Sequence, residues 1–315
     1  MQYVFAFLVP AVALILDSLF GDPQGMPHPV RCIGRGLDLY EASARKVGLN
    51  LRAAGWAAVV LFAIGAWSIA GVLTALPYVG AFIAIYLAYA GLAMGCLVRD
   101  ARRVAALLDS DDLPGARRAL AMLVSRDTSA LDPEGVRKTL AETVSENLND
   151  GFVAPMFYLA LFGPGGMWAY KAISTMDSMW GYRTDRFRDL GRGAAKTDDV
   201  LAWIPARLTA WALLLTGRMR GLDYARAKAN FAADAAKMES PNAGWPMAAA
   251  AWLMDARMGG TAVYFGKAKE KPILGPEGRY WTRAKVRNLI ALCKTSGYRA
   301  GWAFILLLGW LQIAF

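Results

Sequence analysis

Residues 142–170 read Glu142-Thr-Val-Ser-Glu146-Asn-Leu-Asn-Asp150-Gly151, then Phe-Val-Ala-Pro-Met-Phe-Tyr-Leu-Ala-Leu-Phe-Gly163-Pro-Gly-Gly166-Met-Trp-Ala-Tyr170. A polar, acid-bearing segment runs directly into membrane-grade apolar sequence. Upstream, Asp132-Pro-Glu134 is a helix start: a capping carboxylate, a proline at the first position and an acid near the positive end. Val136, Leu140, Val144 and Leu148 recur every four residues and form the buried stripe of that helix. Glu142, Glu146 and Asp150 share the same spacing, so they lie on one side, roughly opposite the stripe. Asn149-Asp-Gly151 reads as its stop. Charge this close to lipid costs about 3 kcal/mol or more per group at mid-bilayer, and it persists where groups pair, line a cavity or do chemistry.

Working outward, the apolar runs 3–20, 55–76, 78–98 and 300–315 read as full spans, with Pro77 joining the middle two as a hairpin. Runs 152–170 and 200–216 are interrupted, by Gly163-Pro164 and by Pro205 and Arg207, and read as re-entrant or buried helices. A six-span alternative would leave the 171–199 connection outside. The segments 21–54, 99–151, 171–199 and 217–299 are rich in Lys and Arg, which places them on the cytoplasmic side. Within them, 33–52 reads as an amphipathic interfacial helix, and 259–266 as a Gly-rich piece. The expected fold is therefore an all-α integral membrane protein, one membrane domain over 1–315, with about four full transmembrane helices plus re-entrant or buried apolar helices and cytoplasmic helical segments.

The whole composition agrees. The 315 residues are 56% hydrophobic with net charge +10, too apolar for an ordinary soluble chain and basic in the manner of a positive-inside membrane protein. Mean hydropathy is +0.31. The positive charge also suits a polyanionic small ligand. No basic run is interleaved with stacking aromatics, which argues against nucleic acid. Cys32, Cys96 and Cys293 are isolated and His28 is the single histidine, so a zinc or haem site is not expected. The N-terminal run lacks a basic n-region and reads as an uncleaved membrane segment.

Chemistry concentrates in a few places. The Glu142/Glu146/Asp150 face suits a magnesium ion shared with phosphate oxygens, and equally a solvated face with Lys138 pairing Glu142 across one turn. Lys171, Ser174, Thr175 and Ser178 share a helical face near Asp177, a phosphate-binding set or a helix end snorkelling at the interface. Tyr182, Arg183, Asp185, Arg186 and Arg188 follow, with plain Asp–Arg pairing as the simpler reading. Arg207 stands inside an apolar run and needs a partner: Asp198, Asp199 or a phosphate. Asp17 and Asp22 raise the same question at the first span, and His28 lies between two prolines. Gly191-Arg-Gly-Ala-Ala-Lys-Thr197 lacks the glycine before lysine that a P-loop requires, and Gly259-Gly260 is no dinucleotide fingerprint.

Five blocks together resemble the CbiB/CobD family, the adenosylcobinamide-phosphate synthases. They are Leu16-Asp-Ser-Leu-Phe-Gly-Asp-Pro23 with Pro27-His-Pro-Val30; Glu142 to Gly151 followed by Ala154-Pro155; Tyr170-Lys-Ala-Ile-Ser-Thr-Met-Asp-Ser-Met-Trp-Gly-Tyr-Arg183; Asp198-Asp199 with Trp203-Ile-Pro-Ala-Arg-Leu-Thr209; and Ser240-Pro-Asn-Ala-Gly-Trp-Pro246. The blocks keep the family order and cover most of the chain. The resemblance implies ATP- and magnesium-dependent amide formation between adenosylcobyric acid and (R)-1-amino-2-propanol or its O-phosphate, giving adenosylcobinamide or its phosphate. It implies magnesium on Glu142, Glu146 and Asp150, and phosphates on Lys171, Arg183 and Arg207 with Ser174 beside them. Asp177 or Asp185 would be the base or a further metal ligand, and Asp22 and His28 would face the same cavity. Trp180, Tyr182, Asn242 and Trp245 would contact the corrinoid, with interfacial anchoring as the other reading of the tryptophans. The implied setting is the cytoplasmic membrane with the active site cytoplasmic, among membrane lipid, with room for neighbouring cobalamin-assembly enzymes and a homo-oligomer. Functions of other classes are a transporter for a charged solute and a membrane scaffold without catalysis. No paired half-repeats favour the transporter.

Overall fold

The computed structural model describes residues 2–21, 28–182, 184–264 and 266–314. Asp22 and Arg183 lie outside them. The chain is overwhelmingly helical and divides into two compact units. Among the described residues, three helical stretches are long and apolar enough to cross a membrane: Leu51–Thr74, Gly80–Asp109 and Pro133–Trp180. Arg192–Leu201 and Trp203–Met219, separated only by Ala202, make a fourth if taken as one broken span. The expected all-α membrane fold is what the chain adopts. The set of apolar helices differs from the expected one: among the described residues, 3–20 supplies only the shorter apolar helix Phe7–Phe20, and Pro133–Trp180 runs on through Asn149-Asp-Gly151.

The first unit comprises Met1–Ala93, Ala154–Ala202 and Gly301–Phe315. It contains α1 (Gln2–Phe20), α2 (Pro29–Lys46), α3 (Leu51–Thr74), α4 (Gly80–Ala90), α8 (Ala154–Trp180) and α9 (Arg192–Leu201). Its core gathers Leu37, Ala44, Ala58, Val59, Ile173, Met176, Trp180 and Leu190. The α3 helix is packed along α8 through its small residues. At Gly55 a Cβ would stand 2.1 Å from the Leu190 carbonyl, so only glycine permits that approach. The opposite side of α3 exposes Trp56, Val60, Leu61, Ile64 and Ile69, as a lipid-facing side must. Within α8 the chain leaves helical geometry at Gly163 (φ 66°, ψ −166°), where Gly-Pro breaks the ladder.

The amphipathic α2 turns its polar side outward, as expected, but hides one carboxylate. Glu41 is 3% exposed. Arg186 donates to both its oxygens, at 2.9 and 3.0 Å, and Arg45 donates to Oε1 at 2.8 Å. The Arg186 hydrogen bonds hold the Glu41 carboxyl below its ordinary value of 4.5, against the opposing effect of burial. A lowered carboxyl stabilises the fold above its unfolded value and loses that contribution as pH falls through the folded one. Thermal midpoints of wild-type protein and Glu41→Gln should therefore differ near neutral pH and converge below about pH 4. Parallel curves down to pH 3 would show that this pair contributes nothing.

The second unit comprises Met94–Val153 and Trp203–Ala300. It holds α5 (Met94–Asp109), α6 (Leu113–Ala121), α7 (Pro133–Leu148), a π-helical turn (Asn149–Val153), α10 (Trp203–Met219), α11 (Tyr224–Ala235), α12 (Gly244–Leu253), strands β1 (Met258–Tyr264) and β2 (Lys267–Leu274), and the start of α13 (Arg283–Ala314). At α7 the Asp132 side chain accepts the Gly135 N–H at 2.7 Å, and Val136, Leu140, Val144 and Leu148 are at most 1% exposed. Two local expectations are corrected. Asn149-Asp-Gly151 does not stop the helix; it widens into the π-helical turn, which absorbs an extra residue without ending the ladder. The Gly-rich start at Gly259-Gly260 belongs to a strand, β1, which pairs antiparallel with β2, with a register shift between Met258 and Gly260. Gly259 and Gly260 have φ of 87° and 81°, so they supply the left-handed backbone this irregular strand start needs.

Candidate functional site

The acidic side of α7 is not a solvated face. Glu142 is 1% exposed, and both its oxygens are engaged. Arg126 donates to Oε2 at 2.5 Å and the Gly259 backbone N–H donates to Oε1 at 2.7 Å. Lys138 does not pair with Glu142; its ammonium donates to the Gly259 carbonyl at 2.8 Å. The hairpin start is thus gripped from both its N–H and its C=O by residues one turn apart on α7. Arg126 also donates to Thr139 Oγ1 at 3.2 Å and lies 5.8 Å from the centroid of the Tyr264 ring, over which Lys271 sits at 5.3 Å. Burial disfavours the Arg126 guanidinium, but the Glu142 charge and hydrogen bond, with the charges of Tyr264 and Glu146, together hold its pKa above the ordinary value. Glu146, half-buried on the next turn, lies within electrostatic reach of Lys271 and Arg126. Sequence reasoning missed Arg126, Lys271 and Tyr264. They come from a turn and a hairpin far from Glu142, and no local spacing ties them to it.

A second group forms around α10. Arg207 is stacked between two indoles, 3.9 Å from the Trp203 centroid and 4.4 Å from that of Trp245. It donates to the Trp203 carbonyl at 2.7 Å, to Asn242 Oδ1 at 3.4 Å and to the Pro241 carbonyl at 3.5 Å. Two residues on, the buried Thr209 hydroxyl donates to Asn149 Oδ1 at 3.0 Å. The Asn149 amide in turn donates to Asp150 Oδ1 at 2.7 Å. So α10 carries two polar contact sets in the second unit: Arg207 with Asn242 and Trp245, and Thr209 with Asn149 and, beyond it, Asp150. Planar guanidinium between aromatic faces is a rigid arrangement, with its remaining N–H groups held in a fixed fork.

The remaining candidates lie in the first unit. Lys171, Ser174 and Asp177 are half-buried along α8. Asp177 approaches Gly181 so closely that a Cβ there would meet its carboxylate at 2.2 Å. Tyr182 is half-buried beyond the end of α8, and Asp185 is exposed in the following turn. His28 caps α2, its Nδ1 accepting the Val30 N–H at 3.3 Å, and its ring lies edge-on to Trp168 at 6.4 Å. Trp180 is buried in the core of this unit. Among the described residues, no three His, Cys, Asp or Glu side chains gather closely enough to hold a metal ion.

The family model "CobD/Cbib protein" matches residues 10–293. A protein of Pelobacter propionicus named "Cobalamin biosynthesis protein CobD" is 38% identical over 90% of this chain and 90% of the relative. Proteins of the same name from Klebsiella pneumoniae and Listeria monocytogenes are 39% and 35% identical, covering 84% and 90% of this chain and 85% and 92% of their own lengths. No solved structure matches the chain. Match length and identity together are decisive: the chain belongs to the CobD/Cbib family.

Proposed function

We propose that this protein acts in cobalamin biosynthesis as an amide-forming ligase. It would join adenosylcobyric acid to (R)-1-amino-2-propanol or its O-phosphate at the expense of ATP, as a multi-pass protein of the cytoplasmic membrane with its site on the cytoplasmic side. The pathway follows from the names of its relatives. One structural observation supports a chemical role: three blocks distant in sequence, 142–151, 203–209 and 240–246, meet through Asn149–Thr209, Arg207–Asn242 and Arg207–Trp245.

The chemistry sets the requirements. A free carboxylate resists amine attack, so the γ-phosphoryl group passes to a carboxylate oxygen, releasing ADP. The amine lone pair then forms the C–N bond, its proton is taken up by a base, and phosphate leaves. Arg207, fixed by its stacked indoles, is suited to stabilise charge on the phosphoryl group in transfer. Within the first unit, Lys171, Ser174 and Asp177 lie half-buried along α8 and are candidates for phosphate contacts and for a base. Glu142 does not fit as a magnesium ligand, because Arg126 and the Gly259 N–H take its oxygens. Glu146 and Asp150 are the carboxylates left to that role, and magnesium carried by a nucleotide needs only one or two. When bound, the ion would neutralise phosphate charge.

The test uses the full chain in nanodiscs with adenosylcobyric acid, either amine form, ATP and magnesium, the corrinoid being followed by mass spectrometry. The reading requires a product heavier by one amine minus water, absent when any component is left out. Unchanged corrinoid with ATP untouched, for both amine forms, would refute it.

A further inference from the structure

The first unit contains a cavity of about 390 Å³ that the residues discussed above do not account for. It is lined by Gly181, Tyr182, Phe187, Arg188, Gly191, Arg192, Ala195, Lys196 and Asp199. Of these, Arg188, Arg192 and Lys196 are cations and Asp199 is the one carboxylate. Among the described residues, none of the three cations forms an ion pair within bonding distance. Their neighbours in the same loop are different: Arg186 is spent on Glu41, and Asp189 accepts from Arg52 at 2.8 Å. The loop is therefore tied down at Arg186 and Asp189 while the cations between and beyond them face the cavity.

The backbone adds to this. Gly191 ends the loop and starts α9, and no side chain caps that helix end. A Cβ at Gly191 would stand 1.8 Å from the Trp180 carbonyl, so the chain passes here only as glycine, hard against the end of α8. Three cations line the cavity against the Asp199 carboxylate, and Arg188 and Arg192 also lie within electrostatic reach of Asp189, so the lining stays net cationic, as a phosphate monoester, an anion at neutral pH, requires. Tyr182 and Phe187 add aromatic wall for an organic portion. The volume lies in the range of small-molecule sites.

We infer that this cavity binds a phosphoryl group, with Arg188, Arg192 and Lys196 as its cationic ligands. Two sources share that chemistry: a soluble phosphorylated small molecule and the phosphate of an anionic lipid headgroup.

Binding, not turnover, tests the inference, so that failure of the ligase reading leaves it standing. Choosing ATP and aminopropanol phosphate as soluble probes rests on that reading; inorganic phosphate, a third probe, does not. The full chain is placed in phosphatidylcholine nanodiscs, and each probe is titrated without corrinoid. Arg192→Gln/Lys196→Gln should weaken at least one probe by about tenfold or more, the effect of losing a charged hydrogen bond. Ala195→Glu, which puts a carboxylate into the cavity and leaves the arginines intact, should do the same if it is folded by circular dichroism. If no soluble probe binds, phosphatidylglycerol nanodiscs should raise the thermal midpoint of wild-type protein but not of the double variant, which assigns the site to lipid. Equal affinities for wild type and both folded variants, with no lipid-dependent difference, overturn the proposal.

Discussion

Replacing Glu142 with alanine should destabilise the second unit by about 3–5 kcal/mol, the effect of stripping one partner from a buried ion pair. Arg126, 8% exposed, would be left with its charge in the interior. The Gly259 N–H would lose its acceptor at the same time, for a further loss of about 1–3 kcal/mol that overlaps with the first. Against total stabilities of about 5–15 kcal/mol, either loss is large. Glu142→Gln keeps an acceptor for Gly259 and should fall between alanine and wild type. Denaturant midpoints in detergent, with protease sensitivity of the hairpin, read the outcome. A Glu142→Ala protein as stable as wild type, yet with a shifted magnesium requirement, would restore the metal role that the geometry argues against.

Arg207→Ala should lower amide formation by about 10²–10³-fold, the range for removing one preorganised group that stabilises transition-state charge. The structural contribution is smaller. Stacking on exposed aromatic faces is worth about 0.5–1 kcal/mol per pair, and Trp203 is 51% exposed. Arg207→Lys should recover little, because an ammonium neither stacks as a plane nor presents a fork. The split between kcat and KM separates two roles. A fall in kcat with an unchanged thermal midpoint marks a group acting on the reaction. Activity and stability declining together, with both restored in Arg207→Met, would make Arg207 a packing residue.

Much of the fold was legible because membrane helices announce themselves through long apolar windows, and 51–74 and 80–90 do so plainly. The start of α7 was equally readable, with Asp132 as its cap and Pro133 at its first position. The π-helical turn shows the limit. The residues that signal a stop also suit a widened turn, and packing of the turn against α10, through Asn149 and Thr209, decides between them. The hairpin escaped because Lys267-Ala-Lys-Glu-Lys271 has none of the apolar alternation of a half-buried strand. For the site, the blocks were visible but their partners were not. Arg207, Asn242 and Trp245 were singled out separately, and the structure brings them together. Glu142 was singled out for the right reason, a charge too costly to bury alone, but Arg126, 16 residues away, neutralises it.

The placing of the cysteines has a practical use. Cys32 is exposed on α2, Cys96 is partly covered and Cys293 is buried, all as free thiols. Once Cys96 is changed to serine, a membrane-impermeant maleimide has one reactive position on the native chain. Added to sealed vesicles of known sidedness, it becomes a ruler for topology. Labelling of Cys32 from one face only would orient α2, and with it the start of α3, relative to the bilayer without any tag or fusion.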